Sequence, residues 1–175
     1  MARRFDGRPV ALSRKSAFAP VAGPGTMVLL LGSLPGEASL VAQRYYAHPQ
    51  NQFWRLIGAV IGREDLAGMN YDARLAALDS AGIGLWDTIA TAKRSGSLDA
   101  AIREAEPAAL RDLVVTLPAL HAIGFNGAIS ARIGRKQLGA TTLTLVDLPS
   151  SSPAHASMTL AAKRECWLEL QKFLC

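Results

Sequence analysis

What this chain has little of narrows its reading quickly. Aromatic residues make up only 6% of it and charged residues 19%, while half of its 175 residues are hydrophobic. So apolar and sparsely charged a chain folds instead of staying disordered, outside its ends. It holds two cysteines, Cys166 and Cys175, both in one C-terminal segment and without metal-ligand spacing. They read as reduced thiols of a cytosolic protein. His48 and His155 lack the i, i+4 spacing of a zinc pair and no Cys/His cluster joins them, which argues against a metal site. No apolar run reaches the ~18 residues of a membrane span, and no apolar stretch follows the basic N-terminus as a signal peptide requires. The run Gly32-Ser33-Leu34-Pro35-Gly36 fits neither the G-x-x-x-x-G-K-[ST] nor the G-x-G-x-x-G phosphate-binding pattern. A G-x-S-x-G elbow, which would raise a serine nucleophile, is missing too.

What is there begins with a formal net charge of +5, compatible with a polyanionic partner but no proof of one. Part of the excess sits at the start, where Arg3, Arg4, Arg8, Arg14 and Lys15 face only Asp6. With Pro9, Pro20 and Pro24 and no sustained period, residues 1–25 read as a basic, solubilising arm and lead-in loop. Residues 26–175 show no repeat and no second composition regime, and are long enough to bury a core as one domain.

Met27–Leu31 (MVLLL) reads as a strand buried on both faces of a parallel sheet. After Asn51, Phe53, Leu56, Ile57, Val60 and Ile61 recur at helical spacing until Gly62 ends the helix. Leu66–Tyr71 reads as a loop, and Asp72 as the cap of a helix through Leu75 and Leu78 to about Ala81. Gly82–Asp87 is a second short strand. Thr88–Ser97 gathers hydroxyls, Lys93 and Arg94 around Gly96, and Ser97-Leu98-Asp99 opens a helical piece that ends before Pro107. Ala108–Leu117 is a short helix, Ala119–Phe125 a third strand followed by a helix to about Gly134, and Thr141–Leu148 a fourth strand. A last helix carries Leu160, Trp167, Leu170 and Leu174 on its apolar stripe, with Lys163, Arg164 and Glu165 mostly elsewhere. Strands alternating with helices predict a parallel sheet covered on both faces.

In such a sheet the carboxyl ends of the strands share one rim, where ligands bind. Ser33, Asp87, Asn126 and the run Ser150–Ser152 punctuate the four ends. The stretch Gly32–Trp54 crowds two tyrosines, a His-Pro, an Asn and a Phe-Trp pair beside that rim, in a chain poor in aromatics. Each residue has a plain alternative. Asn51 sits where an N-cap belongs, Tyr45 and Tyr46 suit a core edge, and Asp87 can cap a turn. Asn126-Gly127 is a common tight-turn pair, and the serines can cap the last helix.

The runs GSLPG, YYAHPQNQFW, GLWDTIATAKRSGSLDAAI, FNGA and LPSSSPAHA resemble, in order, the uracil-DNA glycosylase superfamily, and most closely its hypoxanthine-DNA glycosylase branch. They are also similar to the mismatch-specific uracil and thymine enzymes. The resemblance runs from Met27 to Leu174 and implies a three-layer α/β/α sandwich around a four-stranded parallel sheet. It implies a monofunctional enzyme that hydrolyses the N-glycosidic bond of uracil or hypoxanthine in DNA. The expected partner is DNA containing deaminated bases, with no membrane association, no metal and no cofactor; a monomer is expected, in the cytoplasm and at the nucleoid through its DNA. The implied base-binding residues are Gly32, Ser33, Tyr46, which would stack on an extruded base, and Asp87, which would accept N3–H of uracil or N1–H of hypoxanthine. Pro35, Gly36, Ser150, Ser151, Ser152 and His155 would hold the DNA backbone.

Two departures stand out. The mismatch-specific enzymes carry a water-activating Asn in the first turn, where this chain has Leu34, and many relatives open the second motif with His, where it has Leu148. The resemblance therefore gives the catalytic part to Asn51, by its place in HPQN, as in the hypoxanthine branch. Losing two familiar groups leaves a non-catalytic damaged-DNA-binding module as the alternative, and Ser151 or Ser152 with His155 as a conceivable small-molecule hydrolase.

Overall fold

The apolar runs set the frame. The computed structural model describes residues 12–175. Along the chain come strands β1 (Arg14–Ser16) and β2 (Val28–Gly32), then helices α1 (Glu37–Ala42), α2 (Phe53–Val60) and α3 (Tyr71–Ser80). Strands β3 (Ile83–Asp87), β4 (Ile89–Lys93) and β5 (Arg103–Pro107) precede helix α4 (Leu110–Val114) and strand β6 (Ala122–Asn126). Helix α5 (Ala128–Leu138), strand β7 (Thr144–Leu148) and helix α6 (Leu160–Leu168) complete the order.

β3, β2, β6 and β7 form, in that order, a four-stranded parallel sheet. Side chains alternate across it, as strand geometry requires. Val28 and Leu30 of β2 join Phe53, Leu56 and Ile57 of α2, Leu78 of α3 and Trp167 of α6 in one apolar cluster. Leu29 and Leu31 point the other way, into a cluster with Ile123, Phe125, Leu110 of α4 and Ala131 and Leu138 of α5. The result is the expected α/β/α sandwich. Each expected strand of the sheet is present within a few residues of its sequence bounds.

A second, three-stranded antiparallel sheet, β1-β4-β5, was not expected. Thr88–Ser97 is therefore no plain loop. The helical piece expected between Asp99 and Pro107 shrinks to a single 3-10 turn, Asp99–Ala101, before β5 begins. The reason is visible in the side chains: β5 reads REAEP and is exposed throughout, so it offers no apolar face to any helix packing. Its glutamates pair across strands instead, Glu104 with Lys93 at 2.8 Å and Glu106 with Arg14 at 2.6 Å.

The N-terminal reading is corrected as well. Residues 1–11 of the expected arm lie outside the described residues, but the following segment is folded onto the domain. β1 pairs with β4, Val21 bridges Leu85, and Trp86 Nε1 donates to the Phe18 carbonyl at 2.9 Å. Arg14 and Lys15, expected as unpaired arm charges, face Glu106 and Glu37. Lys163, expected with the charged face of α6, is buried, and that burial lowers its pKa.

The cap of α3 also moves. Asp72 lies within the first turn, and Asn70 is the N-cap, its Oδ1 accepting the Ala73 N–H at 2.9 Å. Asn70→Ala should therefore lower the melting temperature by roughly 2–6 °C, while Asp72→Ala changes it little. Thermal melts of the two variants decide; equal losses would reject this capping assignment.

Candidate active site

The cleft starts at one glycine. In the parallel register of β2 and β3, Gly32 lies opposite Asp87. A Cβ at position 32 would stand 2.7 Å from Asp87 Oδ1 and 3.2 Å from the Tyr46 hydroxyl. Only glycine lets the carboxyl and the phenol approach this strand end.

The turn that follows is held from outside. Arg94, almost wholly buried at the end of β4, donates to the carbonyls of Leu34 and Pro35, and its Nε donates to Gly96 O at 2.8 Å. Ser33 Oγ donates to Asp99 Oδ1 at 2.6 Å, and Ser97 Oγ accepts the Glu37 N–H at 2.9 Å where α1 begins. The β4–β5 connection is thus bound to the GSLPG turn through Arg94 and Asp99 and to the start of α1 through Ser97. Leu34 packs under it against Ile89 and Ala92, and Leu148 lies in the main core. Both departures from the family pattern are apolar packing residues.

Asp87 is buried, and its Oδ2 has no hydrogen-bond partner among the described residues. Desolvation, reinforced by Asp99 and opposed by Arg94, pushes its pKa up to about 7. Burial also raises Asp99, against the pull of the Ser33 hydroxyl and of Arg94. Tyr46 takes a left-handed backbone (φ 51°), uncommon for an aromatic residue, and its carbonyl accepts Trp54 Nε1 at 3.1 Å. Its ring stacks on Phe53 with centroids 3.8 Å apart and planes 9° from parallel.

Asn126, at the end of β6, joins the two sides of the cleft. Its Nδ2 donates to the Tyr46 hydroxyl at 3.2 Å and to Ser151 Oγ at 2.9 Å, while its Oδ1 accepts the Ser151 N–H at 2.9 Å. Ser151 is buried, and its carbonyl accepts the Gln52 N–H at 3.0 Å. The serine loop curls on its own hydroxyls: Ser150 Oγ accepts from Ser152 N and Ser152 Oγ from Ala154 N, both at 3.2 Å. No serine hydroxyl here bonds to His155 among the described residues, so the nucleophile pair of the hydrolase reading is not assembled. His155 Nε2 is buried without a hydrogen-bond partner among the described residues.

Asn51 precedes α2 and accepts the Phe53 N–H on Oδ1 at 2.9 Å. That is a turn-forming bond which also prepares the helix start. Its Nδ2 has no partner among the described residues, so the amide meets the cleft through its donors.

All the expected site residues, namely Gly32, Ser33, Pro35, Gly36, Tyr46, Asn51, Asp87, Ser150, Ser151, Ser152 and His155, line one cleft of about 450 Å³. Sequence reasoning placed Asn126 on the rim without giving it a role, and did not assign Asp99, Ser97 or Arg94 to the site. The available signal was a cation and an acid in a hydroxyl-rich run directly after a strand end, and an Asn closing the third strand. Among the described residues no three His, Cys, Asp or Glu side chains gather as metal ligands.

The sequence pattern of the Uracil DNA glycosylase superfamily matches residues 20–171. A hypoxanthine DNA glycosylase from Methanosarcina barkeri is 39% identical over 161 residues, covering 91% of this chain and 99% of its own. A hypoxanthine DNA glycosylase from Methanosarcina acetivorans is 40% identical over 141 residues, 81% of this chain and 88% of its own. The solution NMR structure of a candidate uracil DNA glycosylase from Methanosarcina acetivorans superposes with a TM-score of 0.79 at 34% identity, covering 92% of this chain and 99% of that one.

The raised Asp87 pKa has a stability consequence of fixed sign. The folded state holds the proton more tightly than the unfolded chain does, so stability is full below about 3.8 and is lost as pH climbs through about 7. Asp87→Asn should melt higher than the unsubstituted protein at pH 8, by roughly 5 °C or more, with the gap closing toward pH 4. A gap that does not change with pH would show that Asp87 is not the group that titrates.

Proposed function

The chain belongs to the uracil DNA glycosylase superfamily, and on that footing we propose that it is a monofunctional DNA glycosylase hydrolysing the N-glycosidic bond of deaminated bases, hypoxanthine first among them. The observation that carries the reading is one cleft holding a carboxyl with an open oxygen, a stacked aromatic pair and an amide with uncommitted donors. The two curated relatives, both named as hypoxanthine enzymes, support catalysis over mere binding and the choice of base.

The chemistry follows from what extrusion and bond breaking need. A base turned out of the stack loses its stacking and pairing, a cost of a few kcal/mol. Tyr46, backed by Phe53, takes its face. Asp87 Oδ2 accepts N1–H of hypoxanthine or N3–H of uracil, and the Ser33 N–H donates to a ring carbonyl, with Gly32 leaving room for close approach. The first turn at Pro35–Gly36 and the loop Ser150–Ser152 with His155 hold the DNA backbone on either side. Within that loop Ser151 serves chiefly as the pin to Asn126. Cleavage builds negative charge on the leaving base, and preorganised donors stabilise it. Asn51 supplies them through Nδ2, because Oδ1 is engaged by Phe53 N–H. The protein works as a monomer on DNA in the cytoplasm.

The direct test incubates the purified protein with inosine- and uracil-containing oligonucleotides, followed by alkali. Strand breaks at inosine, exceeding those at uracil, are expected; tight binding without breaks would defeat the catalytic reading. The role of Asn51 is separable from its turn. Asn51→Asp keeps an acceptor for Phe53 N–H but has no N–H to donate. It should melt like the unsubstituted protein and lose at least ~100-fold in single-turnover excision, the scale of one anion-stabilising donor. Excision at the original rate by that variant would remove Asn51 from the chemistry. Tyr46→Ala should weaken binding of the damaged base by ~1–3 kcal/mol, measured by titration with labelled duplex, whereas Tyr46→Phe keeps the stacking.

A further inference from the structure

We propose that His48 is a positioning residue for the excision chemistry: the unprotonated Nδ1 of its ring closes the turn that aims the Asn51 amide into the cleft. This rests on the glycosylase reading above and on the part given there to Asn51.

The segment between Ala47 and Gln52 is anchored at both ends. Ahead of it, the Ala47 N–H donates to Ser39 Oγ at 3.1 Å, and the Tyr46 carbonyl accepts Trp54 Nε1 at 3.1 Å. Behind it, the Gln52 N–H donates to the Ser151 carbonyl at 3.0 Å. In between, Pro49 has no N–H to give. The next two N–H groups both go to His48. Gln50 N–H donates to the ring Nδ1 at 3.1 Å, and Asn51 N–H donates to the His48 carbonyl at 3.0 Å. One residue thus closes the turn with its side chain and its backbone together, and Asn51 is the residue the turn delivers.

The ring bond also fixes the state of the imidazole. A backbone N–H can only donate, so Nδ1 offers its lone pair and the single ring proton sits on Nε2. A side-chain acceptor that bonds the N–H two residues on is the arrangement Asn and Asp adopt in turns. Asn51 repeats it with the Phe53 N–H. The two turns are linked end to end, and the first sets the direction of the second. His48 is exposed, so water takes over the Gln50 N–H when the ring is removed, and the fold loses little. Water does not keep the shape of the turn, and a displacement of about 1 Å in a reacting group costs on the order of 100-fold in rate. The effect belongs in the rate and not in stability.

His48 lines the cleft, so a direct contact of its Nε2–H with DNA is the rival route. Substitution separates the two nitrogens. Asn at position 48 offers an acceptor near the place of Nδ1, whereas Gln reaches toward the place of Nε2. Single-turnover release of hypoxanthine, binding of the damaged duplex and thermal melts are measured for His48→Ala, His48→Gln and His48→Asn. The Ala and Gln variants should release base about tenfold more slowly, with binding and melting temperature unchanged, while His48→Asn keeps the rate within about threefold. In an Asn51→Ala background the His48→Ala loss should vanish, because a group that acts only through Asn51 has nothing left to position. Losses that multiply in the double variant would overturn the proposal. So would an unchanged rate in His48→Ala, a His48→Asn no faster than His48→Gln, or a loss that lies in DNA binding. Each of these leaves the glycosylase reading standing. Full activity in Asn51→Ala would remove both residues from the chemistry and leave the reaction itself in place. An unsubstituted protein that releases no base from any substrate would instead sink the glycosylase reading, and the role of His48 with it.

Discussion

The empty space at Gly32 is the constraint on which the cleft depends. Parallel pairing sets the ends of β2 and β3 side by side, and the register places Gly32 opposite Asp87. Because position 32 has no Cβ, the Asp87 carboxyl and the Tyr46 hydroxyl both crowd against the strand end, 2.7 and 3.2 Å from where that carbon would be. The remaining geometry builds on this approach. Tyr46 reaches Asn126 through its hydroxyl, and Asn126 fixes Ser151 through both ends of its amide. The serine loop, distant in sequence, is so drawn to the strand rim by hydrogen bonds that begin at a missing side chain. A methyl group there would push on the carboxyl first and, through Tyr46, on the far wall of the cleft.

Charge is arranged to leave one group wanting. Arg94 is a cation that opposes the desolvation-driven rise in pKa of both Asp87 and Asp99, yet its guanidinium is committed to carbonyls of the first turn and of Gly96. Asp99 has the Ser33 hydroxyl for company, whereas Asp87 keeps an oxygen without any donor. A buried acceptor without a donor costs about 1–3 kcal/mol, and more when charged. Part of that cost would be removed by an arriving N–H donor, which is what the base edge of the proposed substrate presents. The same desolvation that makes the empty site unfavourable pushes the Asp87 pKa up to about 7.

Legibility followed apolar content. β2, β3 and β6 were readable because parallel strands buried on both faces must be nearly continuous runs of apolar residues, and MVLLL is such a run, whereas β7 (TLVDL) is an edge strand that stays largely exposed or half-buried. β1 and β5 were not readable, because RKS and REAEP contain none of the β-branched or aromatic residues that mark strands. Cross-strand ion pairs and backbone pairing with β4 hold them, and no local pattern announces either. β5 is also an edge strand, where charge is the usual protection against further pairing. The site divided along the same line. Residues at strand ends and in the aromatic stretch were found by punctuation, whereas Arg94 and Asp99 act through a turn 60 or more positions away in sequence. Asn126 was placed on the strand rim without a role, since only the fold brings Ser151 and Tyr46 to it.

Asn51 is not the N-cap of α2, which is Gln52, and its turn-forming bond leaves room for the proposed chemistry because an amide has two ends. Its oxygen serves the backbone of Phe53, and its nitrogen stays uncommitted toward the cleft. The other asparagine of the cleft cannot substitute for it. Both N–H bonds of Asn126 are taken, one by Tyr46 and one by Ser151. The two positions at which relatives place a polar catalytic group, Leu34 and Leu148, are apolar and packed into clusters. A departing base that gathers negative charge needs donors, and acceptors would repel it. On the proposed reading the donors come from Asn51, just ahead of α2, where the first N–H groups of the helix add a partial positive charge of their own. That would put the stabilising group on a helix start braced by the Phe53–Tyr46 stack, a rigid mount for a group whose value depends on not having to move.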